Sequence, residues 1–263
     1  MTGGNGTKLN RLLLSWPNGT VGTLPWLETQ GVYQQLAYEY EKGSWLTKIG
    51  RGAFAKAGDK VTWPGGVYAL QEQLKLPVHV GGKSALELRG FEHFVTAAQG
   101  SYLYLFSDTP QRLPSWFAKH KWDRRVSYRA LRLFPRDHKL GLTQHGFGTF
   151  EIEVSAPERA ILELLHLVPK EQSFEEARLL MEGLVGLRPK LVQSLLENCR
   201  SIKVKRLLLY LAEHCNHAWA KKIDQSKLDL GSGKRVIVPG GKFDSKYQIT
   251  VDKDQSNEGE SAA

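Results

Sequence analysis

Three short helix patterns, broken by Pro17-Asn18-Gly19, Gly31 and Gly43, run directly into two strand-length segments joined by Gly50-Arg51-Gly52. From Lys8, the apolar residues Leu9, Leu12, Leu13 and Trp16 recur at i, i+3, i+4 and i+7, one stripe of an amphipathic helix. Thr23 reads as a helix N-cap with Pro25 in the first turn, which predicts a second helix over 24–29. A third is expected from Val32 to Gly43, with Val32, Leu36 and Tyr40 facing inward and Gln34, Gln35, Tyr38, Glu41 and Lys42 facing out. The segments 45–49 and 53–56 then read as a β-hairpin with Arg51 at its tip. Three helices followed by a basic-tipped hairpin is the order of a winged helix-turn-helix. The fold class expected is therefore α+β: an N-terminal winged helix-turn-helix domain followed by a mixed α/β C-terminal domain.

Charge points to the kind of partner. The net charge of +9 is uneven: +3 over residues 1–80, +6 over 81–150 and zero beyond. Excess positive charge favours a polyanion, nucleic acid before an acidic membrane surface. On the third helix, Gln34 and Gln35 can each bond adenine N6 and N7 in a bidentate manner, and Tyr38 and Lys42 share their side. Lys48, Arg51 and Lys56 on the hairpin are candidates for phosphate or minor-groove contacts. The same topology also serves as a protein-docking module, so a non-DNA-binding interaction module stays open.

At 263 residues the chain is long enough for two modest domains. The expected division is a winged-helix domain with connector over 1–78, an α+β domain over 79–251 and a disordered tail over 252–263. Strands are expected at 102–106, 125–134 and 148–154. The stretch 112–139 is the most basic, with nine Lys/Arg against Asp123 and Asp137. Lys119, Lys121, Arg124, Arg125, Arg129, Arg132 and Arg136 interleave there with Trp116, Trp122 and Tyr128. This reads either as a second nucleic-acid surface or as a solvated basic face with its aromatic rings turned inward. Beyond residue 150 the pattern turns helical, over 156–168, 174–184, 188–199 and 202–219. Ser155 with Glu158, and Ser173 with Glu176, read as capping boxes. A small β region closes the chain at 235–238 and 247–251.

Several motifs fail on inspection. Val78-His79-Val80-Gly81-Gly82-Lys83-Ser84 ends like a phosphate-binding loop, but Pro77 stands where the first glycine is required. Gly231-Ser232-Gly233-Lys234 fails likewise at Leu228. His214, Cys215 and His217 lack a second cysteine pair for a zinc site. His138 and His145 near Asp137 have no nucleophile placed by a recognisable motif. No catalytic set, metal or cofactor is therefore expected. No run of about 18 apolar residues exists, and with two cysteines and no apolar leader pattern the expectation is a cytoplasmic protein with no membrane partner.

The ordered segments Gly43-Ser44-Trp45-Leu46-Thr47-Lys48-Ile49-Gly50-Arg51-Gly52, Gly66-Val67-Tyr68-Ala69-Leu70-Gln71 and the run from His79 to Gly90 resemble the AbiEi family, the antitoxins of type IV toxin–antitoxin pairs. The run from Ser155 to Leu165 and the closing Gly240-Gly241-Lys242-Phe243-Asp244 fit as well, so the resemblance spans about residues 8–251. It implies a winged helix that binds double-stranded operator DNA and represses the antitoxin–toxin operon. It also implies a C-terminal domain that counteracts a cognate nucleotidyltransferase-like toxin, without requiring a stable complex. The alternative of a different class is an enzyme whose C-terminal half modifies the toxin or its substrate.

Overall fold

The amphipathic stripe of the first helix pattern folds as α1 (Gly3–Ser15) and delivers Trp16 into the core. The structure, a computed structural model, describes residues 3–91, 102–135 and 139–252. Arg136, Asp137, His138 and the expected tail from residue 253 lie outside them. Packing divides the chain into two units. The first comprises Met1–Val80, Gln99–Leu131 and Thr143–Val154; the second comprises Gly81–Ala98, Arg132–Leu142 and Ser155–Ala263. The chain thus passes between units at more places than a single division near residue 79.

In the first unit, α1 is followed by β1 (Gly22–Thr23), α2 (Leu24–Thr29), α3 (Gln34–Lys42), β2 (Leu46–Gly50) and β3 (Ala53–Lys56). The strands form an antiparallel sheet in the order β1-β3-β2. This is a winged helix. Leu9, Leu12, Trp16, Leu27, Val32, Ala37, Tyr40, Leu46 and Phe54 make one buried cluster. Trp16 holds its centre: its Nε1 donates to Thr20 Oγ1 at 3.0 Å, and Trp26 meets its ring edge-on at 5.2 Å. A Cβ on Gly22 would lie 2.3 Å from that ring, so only glycine lets β1 pass so close.

α3 ends in a paired turn. Trp45 N–H donates to Tyr40 O at 2.9 Å and Ser44 N–H to Glu41 O at 3.0 Å, with Ser44 in the left-handed region at φ 59°. The left-handed position falls one residue past Gly43, where the sequence places the stop.

The first unit continues through α4 (Trp63–Tyr68) and a π-type turn over Ala69–Gln73. A five-stranded sheet follows, built from β4 (His79–Val80), β5 (Tyr102–Ser107), β6 (Arg125–Ala130), β7 (Leu142–Phe147) and β8 (Phe150–Ser155) in the order β6-β5-β4-β8-β7. Leu103 and Leu105 of β5 are fully buried, as the apolar run predicts.

The second unit contains α5 (Gly82–Leu88), α7 (Pro157–Leu167), α8 (Phe174–Gly183), α9 (Pro189–Asn198) and α10 (Ile202–His214). It closes with β9 (Arg235–Val236), β10 (Lys242–Asp244) and β11 (Ile249–Val251), ordered β10-β11-β9 with β9 parallel to β11. Arg206 fastens this end. From a buried position its guanidinium donates to the carbonyls of Leu230, Gly231 and Gly233 at 2.7–3.0 Å.

Of the two expected capping boxes, Ser173 caps α8, its Oγ accepting from Glu176 N–H at 3.1 Å. Ser155 does not cap α7. Ala156 takes the N-cap position, Ser155 Oγ donates to Glu163 Oε2 at 2.8 Å, and Glu158 pairs with Arg188. The charge-assisted bond to the buried Glu163 carboxylate holds the Ser155 hydroxyl there. The last long helix also stops short, at His214 rather than residue 219, with Asn216 at φ 50° turning the chain.

Gly22→Ala should destabilise the protein by about 1–3 kcal/mol, the usual cost of forcing an extra carbon into a packed core. Urea denaturation checks this, and an unchanged midpoint would show that Trp16 does not pin β1.

Candidate nucleic-acid interface

α3 buries Ala37 and Tyr40 against the winged-helix core and leaves Gln34, Gln35, Glu39 and Lys42 exposed. At about 100° per residue, Gln35, Glu39 and Lys42 form one outward stripe. Glu39 takes the place on that stripe expected of Glu41, which is half-buried. The buried face holds the expected Val32 and Tyr40 together with Ala37, and the expected Leu36 packs against the same cluster while partly exposed. Tyr38 is only half exposed: its ring packs edge-on against Phe54 at 5.7 Å, and Lys48 Nζ reaches across from β2 to 5.4 Å from the ring centroid. Tyr33, just before α3, is 68% exposed, and Trp45, just after it, 54%. Neither was singled out from the sequence, because alternation around a turn carries no periodic signal.

The hairpin places Lys48 and Arg51 in solvent, with Gly50 paired to Ala53 and Gly52 at φ 71° closing a two-residue tip. The tip is tethered at its base, where Leu24 N–H donates to Gly52 O at 2.8 Å.

Lys56 departs from its expected role as a phosphate contact. It is buried, and its Nζ donates to Trp16 O at 2.8 Å, to Leu13 O at 3.5 Å and to Asn18 Oδ1. Carbonyls left over at the C-terminal end of α1 attract a cation, so this ammonium is committed to the fold.

The basic stretch belongs largely to the same unit as the wing. α6 (Ser115–Lys119) turns Trp116 and Phe117 into the core and leaves Lys119 exposed, with Lys121 exposed just beyond. A cavity of about 660 Å³ is lined by Ile49, Gly50 and Arg51 from the hairpin and by Ser115, Trp116, Lys119, His120 and Lys121. A Cβ on Gly50 would come within 2.8 Å of Trp116 Cβ, so the hairpin rests directly on α6. Trp122 also packs inward, its Nε1 donating to Phe117 O at 2.9 Å, and Tyr128 OH accepts from Gln111 N–H at 3.0 Å. The interleaved aromatic rings are thus structural supports rather than an exposed stacking platform.

The remaining cations scatter. Arg124 lies half-buried over the Trp63 ring at 5.8 Å, and Arg129 donates to Tyr128 O at 2.8 Å. Arg125 is exposed on β6, Arg132 is exposed in the second unit, and Arg136 lies outside the described residues. Ser127 is buried, so Arg125, Ser127 and Arg129 do not form an open face.

The glycine-rich motifs are used internally. Gly82 N–H at the start of α5 donates to Glu163 Oε2 at 3.1 Å, and Lys83 pairs with Glu176 at 2.5 Å. A protein carboxylate therefore holds the place a phosphate would need. Glu163 is itself paired with Arg159 at 2.9 Å, both side chains fully buried. Burial pushes the thiols of Cys199 and Cys215 up to about 11, which leaves them protonated at neutral pH. His217 bonds Met181 O at 2.7 Å and His214 stacks on Tyr210. Among the described residues no group of three or more His, Cys, Asp and Glu side chains is placed to hold a metal ion, and no helix is long and apolar enough to cross a membrane.

Residues 5–97 match the family model of the AbiEi antitoxin N-terminal domain, a transcriptional regulator. Residues 101–252 match that of the type IV toxin–antitoxin system's AbiEi antitoxin, also a transcriptional regulator. The chain belongs to the AbiEi family. No curated protein matches it. A solved structure, that of the RV2827C protein from Mycobacterium tuberculosis, is similar at a TM-score of 0.56 and 13% identity, over 93% of this chain and 90% of that one. That likeness supports the fold of this AbiEi protein.

In this AbiEi chain, Lys56→Met should cost about 1–3 kcal/mol of stability, because buried carbonyls lose their donor. Urea denaturation checks this, and an unchanged midpoint would release Lys56 from its role in closing α1.

Proposed function

We propose that this AbiEi antitoxin binds double-stranded operator DNA through its winged helix, represses its own operon and counteracts a nucleotidyltransferase-like toxin. The observation that carries the DNA half of this reading is the exposed stripe of α3, over which the exposed wing cation Lys48 reaches to the Tyr38 ring, with Arg51 exposed at the tip of the same hairpin. A helix fits the major groove, where Gln34 and Gln35 can bond adenine edges and a carboxylate such as Glu39 can accept from cytosine N4. Lys42, Lys48 and Arg51 supply the charge that displaces counterions from phosphates, so affinity falls steeply with salt. Base edges specify the site while phosphates set the register. The toxin half of the reading rests on family membership.

Two substitutions in the full-length chain separate the roles. Arg51→Ala should weaken binding to operator and random duplex alike, with an unchanged melting temperature. Gln35→Ala should narrow the gap between them by about 1–3 kcal/mol. Fluorescence anisotropy reads both, and a Gln35→Ala variant with its preference intact would remove α3 as the reader. In cells producing the cognate toxin, the Gln35→Ala/Arg51→Ala double variant should still restore growth. Lost rescue by a stable double variant would contradict toxin antagonism separate from operator binding.

A further inference from the structure

We propose that the groove between the wing and α6 is a second backbone-binding site, in which Lys119 and Lys121 hold phosphates of duplex DNA flanking the segment that α3 reads. This rests on the DNA-binding reading above and extends the contact beyond the winged helix itself. Three observations converge on it. Arg51 at the wing tip and Lys119 and Lys121 line the same cavity, with His120 between them. Both lysines are exposed. The walls are fixed, since the Gly50 backbone sits against Trp116 and Trp116 meets Phe117 edge-on at 5.6 Å.

A groove of about 660 Å³ lined by three permanent cations and no carboxylate suits a polyanion. Duplex DNA is favoured over single-stranded RNA because the rings that would stack unpaired bases face inward: Trp116 is 5% exposed and Phe117 fully buried. A ribbon of phosphates needs only charge and a rigid wall, and those are what the groove supplies. The groove adjoins the wing tip, whose Arg51 is one of its lining residues.

The test is a titration of a duplex carrying the protein's own upstream DNA, at salt concentrations between about 50 and 200 mM. It compares the full-length chain, Lys119→Ala/Lys121→Ala, and Lys221→Ala/Lys222→Ala as a control pair of exposed lysines in the second unit. Each lost phosphate contact lowers the slope of log K against log salt by about 0.9. The groove variant should therefore lose nearly 2 from the slope, keep its preference over random duplex and keep its melting temperature. The control pair should match wild type.

A groove variant with the wild-type slope overturns the proposal while leaving the winged-helix reading intact. Failure of the wild-type chain to bind duplex overturns both. Loss of binding to an RNA hairpin, with duplex binding unaffected, overturns it in favour of an RNA partner.

Discussion

The indole of Trp16 is where the winged helix is fastened. Its nitrogen donates to the Thr20 side chain, Trp26 meets its ring edge-on, its ring fills the space that Gly22 leaves open, and the main-chain carbonyl of the same residue accepts from buried Lys56. One residue thereby ties the end of α1 to β1, α2 and β3. Packing of this kind converts a sequence of marginal helices, each too short to hold alone, into a frame that aims α3 outward. The exposed stripe on α3 is a consequence of what that frame buries.

A second fastening gives the wing its direction. A hairpin joined only at its base would be free to swing; here Gly50 lies against Trp116, and the tip shares a wall with Lys119 of α6 and Lys121 just beyond it. Arg51 joins Lys119 and Lys121 along one groove, while the other cations of the basic stretch lie elsewhere. Trp116, which interleaves with the cations in sequence, forms part of that groove's wall.

Local signals in the sequence survive in the fold. The stripe of α1, the bounds of α2, the hairpin and the Ser173 cap all appear where periodicity and turn chemistry place them. The fold departs from local pattern where a distant partner displaces a local one. Ser155 has the spacing of a cap but turns to buried Glu163, and Lys56 has the look of a surface cation but closes α1. On α3 the inward spacing of Val32 and Tyr40 matches the core, while Glu39 rather than Glu41 is exposed because Ala37 is buried as well. The groove had no sequence signature, since residues 49–51 and 115–121 meet only through the fold. Membership in the AbiEi family was legible from ordered short segments, none of them specific alone, and both family models cover the chain accordingly.

The central claim is that α3 reads a particular DNA sequence. Anisotropy with the duplex immediately upstream of the gene, at about 150 mM salt with random duplex as competitor, tests it most directly. The account predicts a preference of about 10³-fold or more. Equal and steeply salt-sensitive binding to both duplexes would contradict it, reducing the winged helix to a carrier of positive charge.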